Sequence, residues 1–552
     1  MKSYKKTMLF LALAALGASG IGEAADVPTA RDPVVQSAER TSDMNRTLAS
    51  YHRYSRYEEE KAKEVPLRVE KGQAEMEKKE LSFEVKEIRV THSRTLSDEE
   101  LTKAIDFKAA CRMTLADLNA MVERINGLYK AKKVETAEAV LPPQVVKDGV
   151  VYIRLVEGVY GRTELSGNHR IADDTIYHRI HSMQGELVDV GRLQDELRLY
   201  NSTNTYQLQA ELVPGEAEGT SDLHLALEEK ENPVSSFIFT DNAGQKESGR
   251  YRIGAYSEYR GLGGHDAALA VMPIWTRGIW GGTVMYDTPW GHHGTRAQVS
   301  YSRNLVDIVK GAFKDDMKAN SNDLAFSLSH PLHISSASRV DSFLEFHRKW
   351  SDTEYAGMTL ADNETRTVKA GMTVRSFDEN GMWFAMASVT GYKCDYRVDS
   401  EANNGSYYSG YLMRRQRLNH GQYLLYRLYG QYTAFKELPS TEQFTLGGMA
   451  TVRGFKESAL SGDKGWAAGF EWGFPISEDQ ETWRSFLFLD HGVVYNNYST
   501  ETKRDYLTST GVGFEYNKGG WYGKLILGVP LNDSGNVGDA SPRVHFYLQR
   551  NV

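Results

Sequence analysis

Cysteine is almost absent. Cys111 and Cys394 are the only two in 552 residues, and they lie far apart in segments of different character, so no disulfide framework organises the chain. Charge of one sign is also lacking: the formal net charge is −8 with both signs mixed, modest for this length, which argues against nucleic acid as the main partner. After the first residues no apolar run approaches the about 20 residues that a membrane-spanning helix needs. A membrane location would therefore require a β-barrel.

Chemical signatures are missing as well. No GxxxxGK[ST] phosphate loop occurs, so nucleotide-driven work by this chain is not expected. Neither a GxSxG elbow nor an HExxH helix is present. His178 and His181 stand three apart on a predicted helix and His292 and His293 are adjacent, but no carboxylate or cysteine set completes a ligand group. Solvated histidines are the simpler reading. Ser, His and Asp are too scattered for a triad to be drawn from spacing. The expectation is no catalytic residue, no metal and no cofactor.

What is present begins with a secretory signal over residues 1–25. Lys2, Lys5 and Lys6 precede the apolar "MLFLALAALGASGIG", and "GEAAD" offers cleavage near Ala24 or Ala25; an uncleaved anchoring helix is the alternative. Residues 26–80 form a polar leader. Asp32 before Pro33 suits a helix start, and Val34, Ala38, Met44, Leu48 and Tyr51 give only a thin apolar stripe. Such a segment is either a disordered charged leader or a helix housed in a wet cavity.

From Leu81 to Glu229 a compact α/β pattern occurs twice. "FEVKEIRV" alternates as a strand, Ser97 and Glu100 fit a capping box, and Leu115, Leu118, Met121, Val122, Ile125 and Leu128 share one helical face. "GVVYIRLVEG" closes this unit as a strand. The second repeats the order: strand "GRTELSG", a helix from Asp173, a helix through Leu193, Leu197 and Tyr200, then strands "YQLQAEL" and "SDLHLALEE". The apolar stripes read as core, which leaves exposed strand edges as the places to accept an extended peptide.

From Asn232 to Val552 helical periodicity disappears. Segments of roughly 9 to 13 residues, rich in Tyr, Gly and Trp, alternate between polar turns as transmembrane strands do. In "WAAGFEWGF", Trp466, Ala468, Phe470, Trp472 and Phe474 face one way and Ala467, Gly469, Glu471 and Gly473 the other. In "FLFLDHGVVY", Leu487, Leu489 and Val493 point outward and Phe486, Phe488, Asp490 and Gly492 into the lumen. Roughly sixteen such segments give the even number expected of a single-chain barrel. A soluble β-sandwich or propeller would need a continuous dry core instead.

The motifs then resemble a family. "LPPQVVKDGVVYIRLVEG" and "ELVPGEAEGTSDLHLALEE" are similar to the ends of two polypeptide-transport-associated (POTRA) domains, "FTDNAGQKESGRYR" to the start of a barrel, "EQFTLGGMATVRGF" followed by "SGDKGW" to a loop folded into a barrel lumen, and "FLDHGVV" to its companion strand. In this order they resemble the outer-membrane transporters of two-partner secretion, the haemolysin and filamentous-haemagglutinin secretion proteins. The resemblance implies a transmembrane β-barrel of about sixteen antiparallel strands over 232–552, POTRA domains at 81–158 and 159–231, and a leader helix inside the barrel. It also implies a loop at about 441–462 folded into the lumen, with Gly447 and Gly448 supplying flexibility.

On that loop Val452, Arg453, Gly454 and Phe455 form the VRGF motif, and Arg453 would pair with Asp490, beside Phe488 and Gly492. The implied function is export of one large exoprotein, carrying an N-terminal secretion domain, across the outer membrane of a Gram-negative bacterium without nucleotide hydrolysis. Outer-membrane lipid and the barrel-insertion machinery would be further partners. A barrel-assembly insertase shares the VRGF loop but generally carries more POTRA units, and a passive porin or adhesin would leave the α/β units idle. One departure stands out: the chain ends "VHFYLQRNV", with Val552 where such barrels usually end in an aromatic residue.

Overall fold

The computed structural model describes residues 67–69, 82–107, 111–132, 134, 136–217, 219–435, 437–497, 504–532 and 541–552. The predicted signal and leader helix lie outside these residues.

The first α/β unit is built on local signals. Ser97 and Glu100 form a reciprocal capping box at the start of α1 (Asp98–Ile105), and Thr114 and Asp117 do the same for α2 (Leu115–Ala131). Leu118, Met121, Val122 and Ile125 of α2 are buried against Val151 and Ile153 of the sheet, with Leu128 packed at the margin. Leu115 sits only half-buried at the helix start.

The predicted "FEVKEIRV" strand is broken at Lys86. Its first half (Ser82–Val85) pairs with Cys111–Thr114, and its second half (Glu87–Val90) runs parallel to Val150–Glu157. Alternation alone could not show this, because a strand that changes partner keeps its period of two. In chain order, with Leu67–Val69 as β1, these strands are β2 (Ser82–Val85), β3 (Glu87–Val90), β4 (Cys111–Thr114), β5 (Ala137–Val140) and β6 (Val150–Glu157). The main sheet has the order β3-β6-β5.

The second unit contains β7 (Val159–Ser166), α3 (Asp173–Tyr177), α4 (Val190–Thr203), β8 (Gln207–Pro214) and β9 (Thr220–Glu228). Leu193, Leu197 and Tyr200 of α4 are buried in its core as their spacing requires. Its sheet has the order β1-β8-β9-β7. The linker strand β1 thus adds in parallel to the edge of β8, with Leu67 opposite Ala210 and Val69 opposite Leu212. This edge of β8 is therefore occupied by the chain itself.

The remainder is a closed barrel of sixteen strands, each paired with its neighbour in sequence. The first strand (Val234–Asp241) meets the last (Arg543–Asn551) along Phe237–Asp241. Closure removes every sheet edge, which the hydrocarbon of a bilayer demands. Trp466, Phe470 and Trp472 project outward while Ala467 and Glu471 are buried inside, so the predicted facing of this strand holds.

On the thirteenth barrel strand (Trp483–Tyr495) Leu487 and Leu489 also project outward. Val493 shares that outward face but is buried on it, flanked in register by Trp466 on one side and Tyr506 on the other. Two large neighbours cover a small side chain, an effect that lies across strands and not along them.

The second α/β unit is seated on the turns at one end of the barrel. Arg296 Nη1 donates to the carbonyl of Thr203, at the C-terminus of α4, at 2.9 Å, and Arg339 donates to that of Ser202. Cations there complement the helix dipole. Asp266 Oδ2 accepts the Thr205 N–H at 2.8 Å, and Arg179 Nη2 donates to the Gly291 carbonyl at 3.2 Å. His178 and His292 stack across this junction with ring centroids 5.3 Å apart, both on exposed surface.

Candidate functional site

The eleventh barrel strand (Tyr423–Tyr432) and the twelfth (Lys464–Pro475) are joined by the longest described connection between barrel strands, and it turns inward. A 3-10 turn at Ser440–Glu442 leads into a short hairpin of Phe444–Leu446 with Leu460–Gly462. Gly447, Gly448 and Gly454 take φ of 103°, 93° and 96°, a backbone region that side chains with a Cβ avoid. Val452 and Phe455 are buried with Leu446, Leu460, Ala467, Val494 and Leu507. This apolar cluster pins the loop tip to the wall on both sides of Arg453.

Arg453 is 1 % exposed. Its Nε donates to Asp490 Oδ2 at 2.7 Å and its Nη2 to Asp490 Oδ1 at 2.9 Å, and its backbone N–H also reaches Oδ2 at 3.1 Å. The third guanidinium nitrogen, Nη1, donates to Glu471 Oε2 at 2.6 Å. A planar fork suits two carboxylates better than an ammonium would. The guanidinium carbon also lies 3.9 Å from the centroid of the Phe488 ring and 5.6 Å from that of Phe486, an arrangement that favours a cation on the ring face.

The charges balance locally. Two carboxylates face Arg453, and Arg427 Nη2 lies 3.8 Å from Asp490 Oδ1 as a second cation. Glu471 Oε1 also accepts the Tyr423 hydroxyl at 2.8 Å. With both carboxylates paired, deleting one partner leaves an uncompensated buried charge, a loss of about 3–5 kcal/mol in a dry site and less in a wet lumen.

Small residues set the approach of loop to wall. A Cβ on Gly492 would stand 2.7 Å from Leu446 Cδ2, and one on Gly454 would stand 3.0 Å from the backbone carbon of Gly528. The Gly454 N–H donates to His545 Nε2 at 3.1 Å, which requires that ring nitrogen to be unprotonated.

All the residues expected at this site, from Gly447 and Gly448 through Val452, Arg453, Gly454 and Phe455 to Phe488, Asp490 and Gly492, fall within this one assembly. Three participants were not singled out from sequence. Alternation along its strand places Glu471 on the inner face without naming its partner, although a carboxylate in the middle of a membrane strand is itself a signal. For Phe486 alternation likewise gives only the facing. His545 occupies the inner face of the last strand, and nothing along the chain connects it to Gly454.

The structure is thus a closed sixteen-stranded barrel with an α/β unit seated on the turns at one end and an arginine-bearing loop folded into its lumen. Residues 219–516 match the haemolysin secretion/activation protein family ShlB/FhaC/HecB, and residues 83–158 match the ShlB-type POTRA domain. The chain belongs to this family of two-partner secretion transporters, whose POTRA domains are periplasmic.

Among its relatives is the heme/hemopexin transporter protein HuxB of Haemophilus influenzae, 24 % identical over 493 residues, covering 84 % of this chain and 86 % of that protein. The outer membrane transporter CdiB of Escherichia coli is 23 % identical over 476 residues, covering 81 % of this chain and 79 % of that protein. In fold, the chain resembles the solved structure of CdiB from Escherichia coli with a TM-score of 0.68 at 18 % identity, covering 93 % of this chain and 98 % of that one. It also resembles BamA from Haemophilus ducreyi lacking POTRA domains 1–3, with a TM-score of 0.54 at 13 % identity over 85 % of this chain and 100 % of that one.

Proposed function

We propose that this transporter exports one large exoprotein, recognised in the periplasm in unfolded form through an N-terminal secretion domain, and that Arg453 holds the lumen loop in its resting position. The observation that carries the second part is the burial of Arg453 between Asp490 and Glu471 on a glycine-rich loop inside the barrel. A charge held this way has two defined states, bound to the wall or released, and so suits a loop that must yield to a passing chain. On this reading the helix that the resemblance implies within the polar leader, itself outside the described residues, vacates the lumen before transit. Folding outside the cell and sequential contacts along the path supply the drive.

Docking by strand addition is supported most at β5. The edge of β8 is taken by β1, and Tyr160 near the edge of β7 exchanges backbone hydrogen bonds with Gly185 and Glu186. Along β5 the Ala137 N–H donates to the Val134 carbonyl at 3.5 Å, while Asn126 Oδ1 accepts the Ala139 N–H at 2.7 Å and its Nδ2 donates to the Ala139 carbonyl at 3.5 Å. An incoming strand would displace the Asn126 amide and the long Ala137–Val134 bond, but no strand.

The test is Arg453→Ala in the native host, with barrel insertion confirmed and surface and culture-medium proteins compared with the parent. Loss of one very large exoprotein with other outer-membrane proteins unchanged is expected, and its identity names the cargo. A broad fall in many barrels would instead indicate an insertase, and an unchanged profile would remove Arg453 from the mechanism. Separately, export that persists after deletion of residues 81–229 would refute recognition by the α/β units.

A further inference from the structure

The loop that carries Arg453 is fastened at a second point, on a different part of the barrel wall. Glu442 sits in the 3-10 turn where the loop leaves its stem, and its side chain is 2 % exposed. Its Oε1 accepts Lys349 Nζ at 2.9 Å and the Thr441 hydroxyl at 3.1 Å, and its Oε2 accepts the Tyr407 hydroxyl at 2.8 Å. Its backbone carbonyl accepts Gln431 Nε2 at 2.8 Å.

These partners come from separated strands. Lys349 is on the seventh barrel strand (Ser338–Tyr355), Tyr407 on the tenth (Glu401–Arg417) and Gln431 on the eleventh, the loop's own stem. Neighbouring strands in this barrel are neighbours in sequence. A bond from the eleventh-to-twelfth connection to the seventh strand therefore cuts across the lumen instead of running along the wall. Arg453 and Gly454 grip the other side, on the twelfth, thirteenth and sixteenth strands, through Glu471, Asp490 and His545.

We propose that Lys349 and Glu442, steadied by Tyr407, form a second clasp that holds the base of the loop across the lumen, so that releasing Arg453 alone does not open the pore. The physical reason is that each clasp pairs its own buried charges, Lys349 with Glu442 in one and Arg453 with Asp490 and Glu471 in the other. Freeing the tip leaves the base stretched over the lumen between the seventh, tenth and eleventh strands. Lys349 and Glu442 are positioning residues: they act on transit through the placement of the loop. The inference rests on the reading of the loop as a movable obstruction, but its test needs no exoprotein and so does not stand or fall with export.

The experiment is ion conductance of the purified full-length protein in planar lipid bilayers. K349M and E442Q are expected to raise the time-averaged conductance several-fold over the parent, Y407F to raise it less because the ion pair survives, and R453A combined with E442Q to exceed either alone. The exchanged pair K349E/E442K is expected to return conductance toward the parent value, a rescue that a merely structural role for either position would not produce. Heat-modifiable migration on gels reports whether each variant has formed its barrel. If the exchanged pair does not insert, K349M/E442Q decides: an effect no greater than either single substitution supports a pair, and additive effects overturn it. Parental conductance in both single variants, or an exchanged pair as leaky as the singles, also overturns the clasp.

Discussion

The guanidinium carbon of Arg453 lies over the ring of Phe488, 3.9 Å from its centroid, while Asp490, two residues further along the same strand, receives two of its nitrogens. Because alternate residues of a strand share a face, one strand supplies both the floor under the arginine and its anionic partner. Glu471 on the neighbouring strand completes the enclosure.

Arg453→Lys keeps the charge but cannot fork to Asp490, reach Glu471 and cover Phe488 together. The expected outcome is a barrel of intermediate stability between parent and R453A, the latter lower by up to about 3–5 kcal/mol, with export reduced in both. The thermal midpoint of the heat-modifiable barrel band measures this. A lysine variant equal to the parent in both stability and export would show that charge alone suffices.

Gly492 and Gly454 should respond differently to repair. Gly492→Val places methyl groups into Leu446, a clash with the far end of a side chain, so adding Leu446→Ala should restore loop placement and export. Gly454→Ala is strained both by a φ of 96° and by the backbone of Gly528, and no side-chain truncation relieves it. Comparing export by the double variant with that of each single one decides the matter; failure of L446A to rescue G492V would mean that the hairpin does not rest on this wall.

The α/β unit offers a pH prediction. Burial alone would raise the pKa of Glu157, but hydrogen bonds from the Ser93 hydroxyl, the Arg94 N–H and the Tyr129 hydroxyl outweigh it and hold the carboxyl below its usual range. A depressed folded-state value means that the carboxylate contributes stability above about pH 4.3, the ordinary glutamate value, and that this contribution is lost as pH falls through the folded value. Glu157→Gln should flatten that acid dependence and loosen residues 93–96 at neutral pH, at a cost of roughly 1–3 kcal/mol. Amide hydrogen exchange of that segment, corrected for intrinsic rates, is the readout; an acid dependence as steep in E157Q as in the parent would assign it to another group.

Asn126→Ala exposes the N–H and carbonyl of Ala139 on the β5 edge. If the secretion domain adds there as a strand, its affinity for the full-length transporter should rise several-fold, because the competing amide is gone. Unchanged affinity in a direct binding titration would move the docking site off this edge.

Much of this architecture was legible in the residues. The two-residue alternation of "WAAGFEWGF" and "FLFLDHGVVY", the capping pair Ser97 and Glu100, and the stripe from Leu118 to Ile125 each express a local rule, since the geometry of one strand or one helical turn decides them. Family resemblance carried the pairing of Arg453 with Asp490, which no spacing could have supplied. The splitting of "FEVKEIRV" at Lys86, the addition of β1 to β8 and the covering of Val493 between Trp466 and Tyr506 were not legible, because each depends on which chain lies alongside.

By itself the sequence determined which segments become strands, which side chains face the lumen, and that a glycine-rich stretch would carry an arginine among them. Tertiary structure alone decided that this arginine meets Glu471 as well as Asp490, that Gly454 meets His545, and that Glu442 reaches Lys349 across the barrel. The reason is closure: a register set around sixteen strands brings Lys349 to Glu442, 93 positions away, and Phe237 on the first strand opposite Asn551 on the last, and interactions within a single strand or turn do not specify such juxtapositions.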